Sequence, residues 1–315
     1  MQDKKIAILG LGDIAGGYNE KSSSKKSLTH AMAIKNNKNL NLIGCMDINC
    51  DVLNNFSNFW KVKNTYDQVK DIEKDYYDVI VISSPSPHHT DQLFEVLELK
   101  PEVILVEKPL TLTELDYKKI QELPKKNNIC VNYLRNWDPK VLELKKQIID
   151  DNYDGYFECK FNGSMMNAGC HMISLLFDIF DNLQIEKKIK SKNHDLFVLK
   201  TNNNLVLTLI HFKKNLNYHL FELSYTSKNS FYKMACNGKY WLTRNLIKDK
   251  DYPNLDYLDP NHKVEKGHLT ECLDYVYLNI ANYLEGKEKL KNNLPQSLKA
   301  EKFCRDLILW GEKND

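Results

Sequence analysis

Lys108 and His171 are the two residues whose types and placement best suit chemistry on a hydroxyl group. Lys108 stands in Glu107-Lys108-Pro109, just past the apolar run Val103–Val106. Ligands of open α/β sheets bind outside the carboxyl ends of the strands. A lysine in that turn can donate to a substrate oxygen and stabilise the negative charge that develops on it. Taken alone, it is equally a surface lysine in a strand-to-helix loop. His171 lies near the start of an apolar stretch, residues 168–179, with Asn167 four residues earlier. Histidine titrates near neutral pH, as a general acid or base for an alcohol requires. Taken alone, it fits a packed histidine inside its own domain better than a catalyst.

A third group of residues has the spacing of a dinucleotide site. Gly10-Leu11-Gly12-Asp13-Ile14-Ala15 follows a short apolar run at the start of the chain. In this pattern the first glycine permits a tight turn, the second lets the backbone approach a pyrophosphate, and the small third residue lets helix and strand pack closely. An acidic residue about 20 positions further on then binds the ribose. Asp47 is the candidate, but it lies 32 residues past Ala15. The turn-rich segment 16–27 accounts for the excess if it is an inserted loop. The Asp47 carboxylate would then accept from the ribose hydroxyls and repel a 2′-phosphate, favouring NAD, with NADP as the other possibility.

The elements that must position these residues follow from the pattern of apolar runs. Strands are expected at 4–9, 40–46, 78–83, 103–106 and 130–133, with helices at 28–37, 66–74, 92–99 and 114–121. Apolar strands without polar alternation, separated by helices, imply a doubly wound parallel sheet. After Asp138-Pro139 the pattern changes. A helix at 140–149 precedes strands at 156–161, 196–201, 205–212, 219–225 and 231–236, with one helix at 168–179 between them. Alternation along these strands implies an open, mostly antiparallel sheet with one packed face. Asn202-Asn203-Asn204 marks a hairpin turn. Helices at 269–285 and 296–310 end the chain. The expected domains are therefore 1–136, a doubly wound α/β domain, and 137–315, an α+β domain.

Composition narrows the function classes. The chain has 315 residues, 42% hydrophobic and 27% charged, with a net charge of +2. Those values suit a folded globular protein and give no basic face for nucleic acid or an anionic membrane. No run of 18 apolar residues suggests a membrane span. The eight cysteines form no CxxC pair and no zinc spacing. Free thiols, no metal and a cytoplasmic location are the expectation.

Four motifs together carry a family resemblance: Gly10-x-Gly12-x-x-Ala15, Ser84-Pro85-x-x-x-His89, Glu107-Lys108-Pro109 and Gly169-x-His171. In this set and order the chain resembles the glucose–fructose oxidoreductase / inositol dehydrogenase / rhizopine catabolism (Gfo/Idh/MocA) family. Leu28-Thr29-His30-Ala31 and the segment Val131–Pro139 resemble a subgroup found in surface-polysaccharide pathways. The resemblance implies an NAD(P)-binding Rossmann domain at 1–136 and a substrate-binding and oligomerisation domain at 137–315, in an NAD(P)-dependent oxidoreductase that acts on a hydroxyl or ketone of a sugar, cyclitol or nucleotide sugar and works as a homo-oligomer. It implies Lys108 and His171 as catalytic residues. Gly10, Gly12, Asp13, Ile14, Ala15, Asp47, Ser84, Pro85, His89 and Glu107 are expected at the cofactor, and Asn132, Tyr133, Arg135 and Asn167 at the substrate. Family members commonly have aspartate where this chain has Asn167 and Ser174. A carboxamide takes no proton, so a non-catalytic NAD-bound regulator of the same fold is the competing expectation.

Overall fold

The structure, a computed structural model, describes residues 3–123, 128–214 and 216–310. Strand β1 (Lys4–Leu9) leads through the glycine turn into a π-helical turn, Asp13–Gly17, and a single helical turn α1 (Tyr18–Glu20). Helix α2 (His30–Asn36) and strand β2 (Leu40–Met46) follow. Next come helix α3 (Cys50–Trp60), β3 (Asn64–Tyr66), β4 (Val79–Ile82), α4 (His89–Glu98), β5 (Val103–Val106), α5 (Glu114–Gln121) and β6 (Ile129–Val131). The six strands pair in the order β3-β2-β1-β4-β5-β6, every pair parallel. That order reverses between β1 and β4, which puts the ends of those two strands at a topological switch point. Residues Ile6–Leu9, Val79–Ile82 and Val103–Val106 are fully buried, as a sheet covered on both faces requires.

Two local expectations are corrected here. Helix α3 was not anticipated, although its sequence explains it. The Asn49 side chain caps it by accepting from the N–H groups of Asp51 and Val52, and Leu53 and Phe56 form its buried side. The helix expected at 66–74 is instead the end of β3 and a 3₁₀ turn, Val69–Asp71. Only Val69 of that turn is buried, too little apolar surface to hold a longer helix.

The second group of elements begins with helix α6 (Pro139–Asp150), capped by Asp138 and started by proline at its first position. Then come β7 (Gly155–Asn162), α7 (Cys170–Ile179), β8 (Leu183–Lys190), β9 (His194–Thr201), β10 (Val206–Phe212), β11 (Phe221–Ser227), β12 (Ser230–Ala235), β13 (Tyr240–Lys248), β14 (Asp256–Leu258) and β15 (Lys263–Lys266). They form one nine-stranded sheet in the order β14-β13-β12-β11-β7-β10-β9-β8, with β15 also on β13. All pairs are antiparallel except β7 with β10. Phe157, Cys159 and Phe161 alternate inward along β7. The triple-asparagine turn joins β9 to β10, with Asn204 in the left-handed region at φ 63°. Strand β8 was not anticipated. It is an edge strand whose lysines and glutamate leave little alternation to read, a common protection of sheet edges.

Helices α8 (Cys272–Leu284) and α9 (Leu294–Leu309) end the fold. By compactness the chain divides into Met1–Trp137 with Thr270–Lys302, and Asp138–Leu269 with Phe303–Asp315. The break between Trp137 and Asp138 lies one residue from the expected boundary, and Thr270–Lys302 groups with the first unit. The reason lies in α8, whose Leu273, Val276, Tyr277, Ile280 and Ala281 pack into the core that holds Ile6, Ile8, Ala31 and Ile34. That stripe has the i, i+3, i+4, i+7 spacing of a helix that must be covered along one side.

Candidate functional site

A cleft of about 850 Å³ opens where the ends of β1, β2 and β4 meet. Gly10, Gly12, Asp13, Ile14, Asp47, Ser84 and Pro85 line it, as expected from the sequence. The turn that shapes it is fixed from three sides. Gly10 N–H donates to Met46 O (2.9 Å), Leu11 N–H to Asp47 Oδ2 (2.9 Å), and Ser83 Oγ to Gly10 O (2.8 Å). Asp47 also accepts from Asn49 N–H through Oδ1 (2.9 Å). Its carboxylate thus braces the glycine turn while bordering the cleft.

The two glycines of the turn are glycine for different reasons. Gly10 has φ +80°, and a side chain there would collide with the backbone of Ser83 and Ser84. Gly12 has φ −76°, which any residue adopts, and a Cβ there would meet nothing within 4 Å. Neither backbone strain nor packing inside the protein requires glycine at 12. A ligand approaching the backbone closely would require it, which is the role the second glycine of this motif has toward a pyrophosphate.

Some cleft residues went unnoticed in the sequence. Val52 and Phe56 line it from α3, and Gln92 lines it from α4 while accepting from Ser84 Oγ (2.6 Å). The i, i+4 spacing of Val52 and Phe56 was the available signal. The insertion after the glycine turn is also shorter than expected. Residues through Glu20 are helical and Gly16 and Gly17 are buried, so the loop proper is 21–29.

Several expected cofactor and substrate residues lie beneath the surface instead of lining the cleft. Ala15 is fully buried in the core. His89 is buried, with its ring nitrogens against Ser84 O (2.8 Å) and Pro109 O (2.7 Å), where it ties the loop after β4 to the loop after β5. Tyr133 is buried and donates to Glu301 Oε1 (2.9 Å). Glu107 is buried against His30 Nε2 (3.0 Å) and Asn132 Nδ2 (2.6 Å), and His30 Nδ1 in turn faces the Tyr277 hydroxyl (2.9 Å). Through these bonds His89 and Glu107 hold the turns after β4 and β5.

Lys108 is half-buried at the end of β5, joined to Pro109 by a cis peptide bond, and outside the lining of the cleft. The turn around it is held on both sides. Glu107 is fixed as above, His89 takes Pro109 O, and Glu301 accepts from Leu110 N–H (2.6 Å), Thr111 N–H (2.9 Å) and Thr111 Oγ1 (2.5 Å). Arg135 is half-buried in the 3₁₀ turn Leu134–Trp137. In the second unit, His171 is half-buried in the first turn of α7 and Ser174 is buried. Asn167 is exposed in the π-helical turn Met165–Gly169, its N–H capped by Ser164 Oγ (3.2 Å).

Burial pushes the Glu107 carboxyl up, but the His30 contact and the Asn132 donor outweigh it and hold its pKa below the ordinary carboxylate value. A depressed carboxyl contributes stability above its unfolded pKa of about 4.3 and loses it as pH falls through the folded value. Denaturant unfolding between pH 6 and pH 3 should therefore show wild-type stability falling below about pH 4.3 more steeply than that of Glu107→Gln. Parallel curves for the two proteins would remove Glu107 from the acid response.

Residues 4–133 match the model of the Gfo/Idh/MocA oxidoreductase family, described by its NAD-binding Rossmann fold. No curated protein matches the chain in sequence. Among solved structures, the chain is similar to a dehydrogenase (MviM) from Clostridium difficile, with 15% identity and a TM-score of 0.74 over 98% of this chain and 99% of that one. It is similar to apo scyllo-inositol dehydrogenase from Lactobacillus casei, with 14% identity and a TM-score of 0.73 over 100% and 97%. It is also similar to a variant of a 3-ketoreductase from Actinomadura kijaniata in complex with TDP-benzene and NADP, with 11% identity and a TM-score of 0.72 over 97% and 96%. At these identities the likeness is one of fold.

Proposed function

Proceeding from residues 4–133 as a Gfo/Idh/MocA-family, NAD-binding Rossmann domain, we propose that the protein is an NAD(P)-dependent oxidoreductase acting on a hydroxyl or ketone of a sugar, cyclitol or nucleotide sugar. The observation that carries the cofactor reading is Gly12, a glycine that neither conformation nor internal packing demands. The bound nicotinamide would accept or supply a hydride. The cleft residues fit such a group: the Gly10–Asp13 backbone would follow the pyrophosphate, and Asp47 at the end of β2 would take the ribose hydroxyls, which favours NAD over NADP. Among the described residues no helix is long and apolar enough to cross a membrane.

In this reading Lys108 donates to the substrate oxygen and steadies its negative charge. His171, by the family resemblance, exchanges the hydroxyl proton. Arg135 and Asn167 are proposed as substrate contacts by the family resemblance, together with Asn132 and Tyr133, which also bond Glu107 and Glu301. A role in surface-polysaccharide synthesis rests on the subgroup resemblance. A homo-oligomer is supported by exposed Tyr156, Val206 and Tyr240 on the nine-stranded sheet, apolar surface that a second copy would cover.

Gly12→Ala tests the cofactor reading. The variant should melt within about 2 °C of wild type, since its methyl group enters open space, yet bind NADH at least about tenfold more weakly, as expected from crowding the pyrophosphate. Unchanged NADH binding would sink the assignment of this cleft. The competing reading, an NAD-bound protein without turnover, draws on Asn167 and Ser174. NADH binding with no redox change across a panel of sugars, cyclitols and sugar nucleotides would favour it.

A further inference from the structure

The dinucleotide reading leaves an electrostatic problem in the cleft. Its charged lining residues are Asp13, Glu20, Lys21 and Asp47, three acids and one base, and a dinucleotide brings two further negative charges on its pyrophosphate. Helix polarity at the glycine turn offers little relief. The helical segment there is a five-residue π-helical turn followed by three residues of α1, and the chain leaves it after Glu20. A macrodipole is built from aligned peptides, so a segment this short contributes a small one.

Lys21 is placed to solve it. It is the first residue of the loop 21–29, its N–H donates to Gly17 O (3.1 Å), and its Nζ pairs with Asp13 Oδ1 (2.6 Å). Both side chains are largely exposed, at 72% and 51%, and an exposed pair of this kind contributes little stability, so it exchanges readily for a stronger partner. The loop carrying Lys21 is anchored. Buried Asn19 donates through Nδ2 to Ser24 O (3.1 Å) and Lys26 O (2.9 Å) and accepts from Thr29 Oγ1 (2.8 Å). Glu20, the neighbouring acid, accepts from the Trp60 indole N–H (2.7 Å).

We propose that Lys21 is the cation for the cofactor pyrophosphate, exchanging Asp13 for a phosphate oxygen when the dinucleotide binds. The proposal rests on the cleft being the NAD(P) site. The loop interrupts the helix that would otherwise follow the glycine turn, and its first residue replaces with a full charge what the shortened helix withholds.

Ligand-observed NMR titrations of ADP-ribose and adenosine against wild type, Lys21→Ala and Lys21→Glu test it. ADP-ribose should bind Lys21→Ala about fivefold more weakly and Lys21→Glu more weakly still, with the differences shrinking as salt is raised from about 0.02 M to 0.5 M. Adenosine, which has no phosphate, should bind all three proteins alike. ADP-ribose affinity unchanged in Lys21→Ala, or adenosine weakened equally, overturns the role of Lys21 while leaving the cleft assignment standing. Failure of ADP-ribose to bind wild type overturns the cleft assignment and the proposal with it.

Discussion

Lys108→Met is expected to lower turnover on a responsive sugar or cyclitol substrate by about 10³-fold while NADH binding stays within about twofold of wild type. The expected loss is large because a single donor to a developing oxyanion, held in place before the reaction, acts where water would otherwise have to reorganise. Holding in place is what the surrounding turn does. Glu107 is fixed by His30 and Asn132, Pro109 O faces His89, and Leu110 and Thr111 are fixed by Glu301. Methionine keeps the length of the side chain and removes the charge, which also helps to lower the pKa of the Glu107 carboxyl. The cofactor arm follows from the cleft, which Lys108 does not line. Steady-state kinetics and NADH fluorescence on the same preparation check both halves. Turnover near wild type would end the assignment of Lys108, and lost NADH binding would show that the turn had collapsed instead.

The parts of this site that were legible in the sequence are those in which one short segment carries the information. The run Lys4–Ala15 contains a strand, a turn and a small residue in order, and the structure places them so. Asp47 was identified by its place at the end of a strand, although its spacing was wrong for an uninterrupted helix. The structure reconciles the two through the loop 21–29. The illegible parts are contacts between segments distant in the chain. Glu107 reads as a cleft residue until Asn132 and Tyr277-bound His30 are seen to enclose it, partners 25 and 77 residues away for the carboxylate itself. His89 and Tyr133 likewise bond partners distant in the chain. A polar residue at the end of a strand reads the same in sequence whether it faces a ligand or another loop.

The terminal helices show the limit more sharply. Helix α8 was legible as a helix from its apolar spacing, but periodicity gives only the width of the stripe and not the surface that covers it. Its return to the core of the first unit is decided by Leu273, Val276, Tyr277 and Ile280 fitting against Ile6, Ile8, Ala31 and Ile34. The same return delivers Tyr277 to His30, so a helix from the end of the chain completes the network under the Lys108 turn. A boundary drawn once along the sequence could not have shown this.

Glu301→Ala should be the most destabilising single change beneath the site. No part of Glu301 is exposed, and its two oxygens accept from four donors: the N–H groups of Leu110 and Thr111 and the hydroxyls of Thr111 and Tyr133. Burial pushes its carboxyl above the ordinary range, against the pull of those four donors. Alanine would leave the donors buried and unmatched, and each such group costs about 1–3 kcal/mol. Allowing for relaxation and water entry, a total of about 4 kcal/mol is expected, or a fall in Tm of roughly 10 °C for a unit of this size. Glu301→Gln should recover only part of it, because its amide N–H₂ faces donors where the carboxylate offered acceptors. The turn that loses its anchor is the one carrying Lys108, so kcat should fall in the surviving folded fraction of Glu301→Gln while the NADH dissociation constant holds. A melting curve for Glu301→Ala within about 2 °C of wild type would show that the four contacts do not act together. Unchanged kcat in Glu301→Gln would show that the Lys108 turn keeps its geometry without them, leaving Glu107 and His89 as its anchors.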